Sequence, residues 1–203
     1  MANYSVPKAF VSVEESIKGS RFITRVWPVA KVEQAKQQLR QLRTEEPTAT
    51  HHCWAYIVGD PNSTTLLGCS DDGEPAGTAG KPMLNVLQHS GLGDLLAVCT
   101  RYYGGTKLGT GGLARAYGGG VKLALEQVDT EEKIEKDEIT ISIAYDCAKD
   151  LEHELKQVDG AIDHIDYGEQ LTYQVTVPAQ HSAQLKQQCH IRFGDKHLWN
   201  TTV

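Results

Sequence analysis

Apolar and polar residues alternate with a period of two through Phe22, Thr24 and Val26, then switch to helical spacing at Val32, Ala35, Leu39 and Leu42. The switch predicts a strand followed by a helix over 31–46. Cys53 to Val58 and Thr64 to Cys69 read as two further strands, joined by the turn Gly59-Asp60-Pro61-Asn62-Ser63. Met83, Leu84 and Leu87 predict a helix starting near Gly80, with Pro82 in its first turn, where a missing N–H does no harm. Asp94 to Tyr103 reads as a buried strand. Leu113, Tyr117, Val121, Leu123 and Leu125 then predict a helix capped by Thr110.

The second half has its own rhythm. Ile139, Ile141, Ile143 and Tyr145 alternate as a strand, Leu151, Leu155 and Val158 form a helical stripe, and 162–167 with 171–177 read as a hairpin around Gly168. A helix over 179–189 and a strand over 198–203 complete the order βαββαβ, that of a split-βαβ, ferredoxin-like sandwich. Between the halves, the polar run from Asp129 to Glu138 reads as a linker. The expectation is an α+β protein of two domains, 1–130 and 138–203, with a linker at 131–137.

Composition narrows the setting. The 203 residues are 40% hydrophobic, enough for two small cores. The longest apolar run, about Leu95 to Cys99, is far short of the roughly 20 residues a membrane span needs. No basic segment followed by an apolar one opens the chain, so the expected location is cytoplasmic, with no membrane partner. Cys53, Cys69, Cys99, Cys147 and Cys189 are odd in number and widely spaced, which argues against a disulfide framework and a zinc ribbon. Residues 1–135 carry 14 Lys/Arg against 15 Asp/Glu, and 136–203 carry 6 against 11, so contact driven by phosphate neutralisation belongs to the first domain. No DNA sequence-recognition motif is present.

Two dense blocks carry the candidate chemistry: Ser70-Asp-Asp-Gly-Glu-Pro-Ala-Gly-Thr-Ala-Gly-Lys-Pro82 and Arg101-Tyr-Tyr-Gly-Gly-Thr-Lys-Leu-Gly-Thr-Gly-Gly-Leu-Ala-Arg-Ala-Tyr-Gly-Gly-Gly120. Each runs strand, glycine-rich turn, helix, and the two are expected to meet in one pocket. From Leu95 to Leu125 there is no acid, while Arg101, Lys107, Arg115 and Lys122 give +4 in a chain of −6 overall. An anion is the natural guest, held by Lys81, Arg101, Lys107 and Arg115 with the backbone of Gly104, Gly105, Gly109, Gly111 and Gly112. The same glycines could instead serve tight packing of helices on a sheet. Asp71, Asp72 and Glu74 could hold Mg²⁺, or act as general acid and base, or form a capped turn; no other cofactor is expected. Adjacent His51 and His52 point to opposite faces of a strand, so at most one can line this site. Gly109-Thr-Gly-Gly-Leu-Ala114 satisfies G-x-G-x-x-A but lacks the acidic second strand of a dinucleotide fold, and Gly77-Thr-Ala-Gly-Lys81 has Pro75 and Pro82 where a phosphate loop needs Gly and Ser or Thr.

The runs Ser70 to Leu84 and Arg101 to Gly120, with His51-His52-Cys53 before them, resemble the signature of the IMPACT family, in its YigZ-like bacterial branch. The resemblance implies an N-terminal α/β domain like those of ribosomal and elongation-factor proteins. It also implies a ferredoxin-like second domain resembling the last domain of elongation factor G. It implies a non-enzymatic, translation-associated regulator that binds RNA, a ribosomal component or a regulatory partner. In eukaryotic relatives, control of a starvation-responsive kinase depends on an extra N-terminal RWD domain. This chain begins almost directly with the shared domain, so that role is not expected here. The alternative is a small metal-assisted enzyme acting on a phosphorylated metabolite or nucleotide.

Overall fold

The structure, a computed structural model, describes residues 3–62, 66–194 and 197–201, and divides into two compact units at Lys133/Ile134. In the first unit the strands β2 (Val11–Ile17), β3 (Ser20–Pro28), β4 (His51–Ile57), β5 (Leu67–Ser70) and β6 (Leu95–Tyr102) form one antiparallel sheet in the order β2-β3-β6-β4-β5. The central strand β6 is buried along almost its whole length because helices cover both faces of the sheet. On one face, α2 (Gly80–Ser90) and α3 (Thr110–Leu125) bury Met83, Leu87, Tyr117 and Val121 against Phe22, Val26, Cys53, Ala55, Ala97 and Cys99. On the other, α1 (Val32–Glu45) packs Ala35 and Leu42 with Val29, Val58, Leu96 and Val98.

The ends of this unit are tied by Asp94, whose φ of 53° lies in the left-handed region. Its carboxylate accepts from Tyr4 Oη (3.1 Å), the Gly59 N–H (2.7 Å) and Lys133 Nζ, and its carbonyl accepts from the Val29 N–H (2.7 Å). These bonds anchor β1 (Tyr4–Pro7) and β7 (Thr130–Lys133), which pair antiparallel as a separate ribbon. The expected linker at 131–137 is therefore corrected. Residues 130–133 are a strand of the first unit, and β8 (Lys136–Ile143) opens the second. Thr-Glu-Glu-Lys offers no apolar alternation, because this ribbon is held by backbone bonds to a segment more than 120 residues earlier.

The second unit runs β8, a 3₁₀ turn at Tyr145–Cys147, α4 (Ala148–Gln157), β9 (Ala161–Tyr167), β10 (Leu171–Pro178), α5 (Ala179–Phe193) and β11 (His197–Thr201). Its antiparallel sheet has the order β11-β8-β10-β9. Ile139, Ile141, Ile143, Tyr173 and Val175 face Leu151, Leu155, Leu185 and Phe193 in a single core. The last helix continues one turn beyond the expected 189, to bury Phe193. The strand expected from Thr64 starts at Leu67; residues 63–65 and 202–203 lie outside the described residues. Among the described residues no helix is long and apolar enough to cross a membrane.

The glycine cluster 118–120 shows how closely α3 sits on the sheet. A Cβ at Gly120 would collide with Thr24 Oγ1 in the buried wall of β3, whereas one at Gly119 would meet nothing within 4 Å. Gly119→Ala is expected to stabilise the protein by about 0.5–1 kcal/mol through the entropy glycine forfeits in a helix. Gly120→Ala is expected to destabilise it by about 1–3 kcal/mol through overpacking. Urea unfolding of the two variants checks both signs.

Candidate functional site

The first block leaves β5 and turns back into α2, and its three carboxylates go three ways. Asp71 Oδ1 accepts the N–H groups of Ala79 and Gly80, both at 2.9 Å, and Oδ2 accepts that of Gly77 at 2.8 Å. A carboxylate of the chain itself thus occupies the N-terminus of α2, where orphan amides and the helix dipole favour an anion. Asp72, at φ 44°, accepts the His52 N–H at 2.7 Å and pairs with Arg43. Glu74 turns inward to 8% exposure, where Oε1 accepts from Arg101 Nη1 at 2.6 Å and from Tyr117 Oη at 2.7 Å. The shared oxygen set expected of Asp71, Asp72 and Glu74 as metal ligands is not assembled. No three His, Cys, Asp or Glu side chains among the described residues gather as a metal site. The physical reason is the left-handed backbone at Asp72 and Gly73, which rotates successive side chains toward separate protein donors.

The second block leaves β6 at Arg101. In β6 this residue shares a face with Leu95, Ala97 and Cys99, so the alternation that builds the core also pulls the guanidinium inside, to 5% exposure. Besides Glu74 it reaches Ser20 Oγ from Nη2 at 3.3 Å, and its buried Nε has no partner among the described residues. Its Cζ lies 5.3 Å from the Phe22 ring centroid and 5.4 Å from that of Tyr103. Gly104 then passes so close to the turn at Gly19 that a Cβ would overlap its carbonyl group; this glycine serves packing. Gly109, at φ +75°, precedes α3 as its cap residue, and Thr110 opens the helix instead of capping it. The cap residue Gly109 offers no side chain to the amides of α3, and no acid lies in the first turn of that helix.

Both blocks line one pocket of about 320 Å³, which includes Glu74, Arg101, Tyr103, Lys107, Gly109 and Thr110. The other expected anion ligands are elsewhere. Arg115 and Gly112 line a second groove of about 430 Å³ with Lys18, Lys122, Glu15 and Glu126. Lys81 is exposed in the first turn of α2 and lines neither cavity. Gly105 and Gly111 have open space where a Cβ would stand. The acid-free stretch is thus divided between two surfaces, and Arg101 contributes a charge already matched by Glu74.

The neighbouring titratable groups are held in single states. Burial, followed by Cys53 and Glu74, pushes the Tyr117 phenol far up, so it stays a donor to Glu74. Burial likewise raises the Cys53 thiol, whose Sγ donates to the Asp71 carbonyl at 2.9 Å, and lifts Cys99 to about 12. These are structural thiols. His51 lies on the pocket face of β4, with Nδ1 2.8 Å from the Asp72 carbonyl and Nε2 3.9 Å from Glu74. His52 lies on the α1 face, its pKa lowered by burial, with Nδ1 3.0 Å from Thr100 Oγ1 and Nε2 3.3 Å from the Glu46 carbonyl. Sequence reasoning missed Tyr117 as the third member of the Glu74 cluster, because helical spacing marks it only as a core position. It also left out Tyr103, half exposed on the pocket wall.

The chain matches the Impact N-terminal domain family over residues 18–125. It is 48% identical to the IMPACT family member YigZ of Escherichia coli over 88% of each chain, and 37% identical to Protein IMPACT of Xenopus laevis over 46% of this chain and 30% of that protein. A crystal structure of a protein described as hypothetical superposes with a TM-score of 0.75 at 43% identity, covering 100% of this chain and 98% of that one. The chain belongs to the IMPACT family.

Two expectations follow for the site. Burial tends to raise the Asp71 carboxyl, but its bonds from Gly77, Ala79 and Gly80 outweigh this and hold it below its ordinary 3.8. Its stabilising contribution is therefore complete above 3.8 and is lost as pH falls through the lower folded value. Asp71→Asn should cost about 1.5–3 kcal/mol at neutral pH, with the gap from wild type closing on acidification; urea midpoints across that range measure it. Glu74→Ala should cost about 3–5 kcal/mol, because Arg101 would remain buried and unpaired, and Glu74→Ala/Arg101→Ala should cost less than the two single losses combined.

Proposed function

We propose that this member of the IMPACT family is a translation-associated regulator that binds RNA through the glycine-rich surface of its first unit. The observation that carries the reading is the contrast between two helix N-termini of similar construction. That of α2 is filled by Asp71, whereas that of α3 begins at a glycine cap and has no capping side chain among the described residues, and it lines the pocket beside Lys107. Amides at a helix N-terminus, with a cation alongside, favour a phosphate. The excess of acid in residues 136–203 disfavours such contact in the second unit.

The architecture supports the same setting by analogy. We read the order β8-α4-β9-β10-α5-β11 as a ferredoxin-like sandwich, and the first unit as the ribosomal-protein and elongation-factor-like α/β domain that the family resemblance implies. Both recur among factors that work on the ribosome, so ribosomal RNA in the cytoplasm is the natural partner.

Titration of the full chain with single-stranded RNA at several salt concentrations tests this. With Lys107, Arg115 and Lys122 as the contributing cations, the slope of log affinity against log salt should be roughly −2, and Lys107→Ala should reduce its magnitude by about 0.7. Lys149→Ala, on the second unit, should change neither slope nor affinity. A slope near zero, or equal losses from Lys149→Ala and Lys107→Ala, would refute the proposal.

A further inference from the structure

We infer that the free edge of β9, in the second unit, is a docking strand for a basic, extended segment of a partner protein. The segment adds to the sheet with lysine or arginine side chains on one face and apolar side chains on the other. This goes beyond the RNA-binding reading, which concerns the first unit, and does not depend on it. β9 stands at the end of the order β11-β8-β10-β9, so among the described residues one row of its N–H and C=O groups faces no strand. It is exposed along almost its whole length. Such an edge is a template for another chain, with backbone bonds supplying affinity and alternate side chains supplying specificity.

The two faces of the edge describe what fits it. Tyr167, Ile165 and Ile162 lie opposite Leu171, Tyr173 and Val175, three buried members of the core. Tyr167 is nevertheless 71% exposed and Ile162 41%, so apolar surface continues past the core to the edge. On the other face Asp166 and His164 lie opposite Thr172 and Gln174. The register shifts between Gln174 and Val175, and the extra residue is Asp163. Its carboxylate accepts from Thr176 Oγ1 at 2.6 Å and lines a groove of about 450 Å³ with Glu138, Thr140 and Gln174. Among the described residues the ion pairs of this unit join Arg192 to Asp150 and Glu154, and none involves Asp163, Asp166 or Glu138.

Charge chooses between occupants. Between Lys156 and Lys186 the chain has the acids Asp159, Asp163, Asp166 and Glu169 and neither Lys nor Arg. A nucleic acid or an anionic membrane is repelled by such a strand, and a second copy paired through β9 would set the same carboxylates against one another. A basic strand is matched on both faces. Adjacent strands lie about 4.8 Å apart, so a lysine or arginine of the added strand reaches Asp163, Asp166 and the groove beside Glu138, while apolar residues at alternate positions cover Ile162 and Tyr167. The bulge bends the edge at Asp163 and keeps regular pairing short, so affinity should be modest.

The test is fluorescence anisotropy of a labelled peptide of about eight residues, alternating Lys and Val, titrated with the full chain. The controls are the Glu–Val counterpart, a fully N-methylated Lys–Val peptide that keeps the side chains but has no N–H to donate, and competition by single-stranded RNA. The Lys–Val peptide should bind at least about tenfold more tightly than either control peptide, and RNA should not displace it. Asp163→Asn/Asp166→Asn should weaken it about fivefold and flatten its salt dependence, and Tyr167→Thr, which keeps a strand-forming residue, should weaken it about threefold at unchanged salt dependence. All three side chains are exposed, so both variants are expected to fold, which circular dichroism verifies. No binding of the Lys–Val peptide, equal binding of either control peptide, or indifference to either variant overturns the inference. Displacement by RNA would give the edge to nucleic acid, and a dimer of the chain alone in sedimentation that Tyr167→Thr dissociates would give it to a second copy; either overturns it as well. The RNA-binding reading can fail in its own salt titration with every expected result here intact.

Discussion

The first unit depends on one buried charge cluster. Glu74, in the turn before α2, meets Arg101 at the end of β6 and Tyr117 in the middle of α3, all three nearly withdrawn from water. Desolvating an acid and a guanidinium is expensive, and their attraction repays it only where geometry is good and further donors are supplied. Here the Tyr117 phenol and the Ser20 hydroxyl supply them. The cluster joins the two glycine-rich blocks, which lie about 30 residues apart in sequence and are otherwise separate turns. The pocket wall exists because this contact holds.

Around that contact, similar local devices serve opposite ends. Both blocks pass from strand through a turn with positive φ into a helix, yet the first closes its helix N-terminus with Asp71 and the second leaves its own open. The glycines divide in the same way. At Gly104 and Gly120 backbone must come closer than any side chain permits, whereas Gly111 and Gly119 face open space within a helix that would be more stable with alanine. Helical glycine that is not needed for packing is a recurring stability cost, and proteins tolerate such costs at surfaces approached by something else.

The opposite face of the sheet carries a second polar network, which composition gives no hint of. Glu46 pairs with Arg25 and accepts from Tyr102 Oη at 2.9 Å, while Arg25 Nη1 donates to Thr100 Oγ1 at 3.2 Å and His52 completes the set. It fastens the end of α1 to β3, β4 and β6. Its members are satisfied within the chain, which separates it from the Glu74 cluster, where the buried Arg101 Nε has no acceptor among the described residues.

Amphipathic periodicity determined most elements of this protein, because burial of one face is written into neighbouring residues: α1 at Val32, Ala35, Leu39 and Leu42, and β8 at Ile139, Ile141 and Ile143. The two blocks were also legible as strand–turn–helix units rich in backbone amides. What periodicity could not carry was any bond between distant backbones or any choice of partner for a charge. The ribbon of β1 and β7 has no apolar signal and so read as a linker. Asp71, Asp72 and Glu74 look equivalent in sequence, but turn dihedrals sent the first to a helix end, the second to Arg43 and His52, and the third into the core. Arg101, Lys107 and Arg115 likewise read as one basic cluster. Only the strand register that sets Arg101 beside His51 and Phe22 decided that one is internally neutralised and the other two face different cavities.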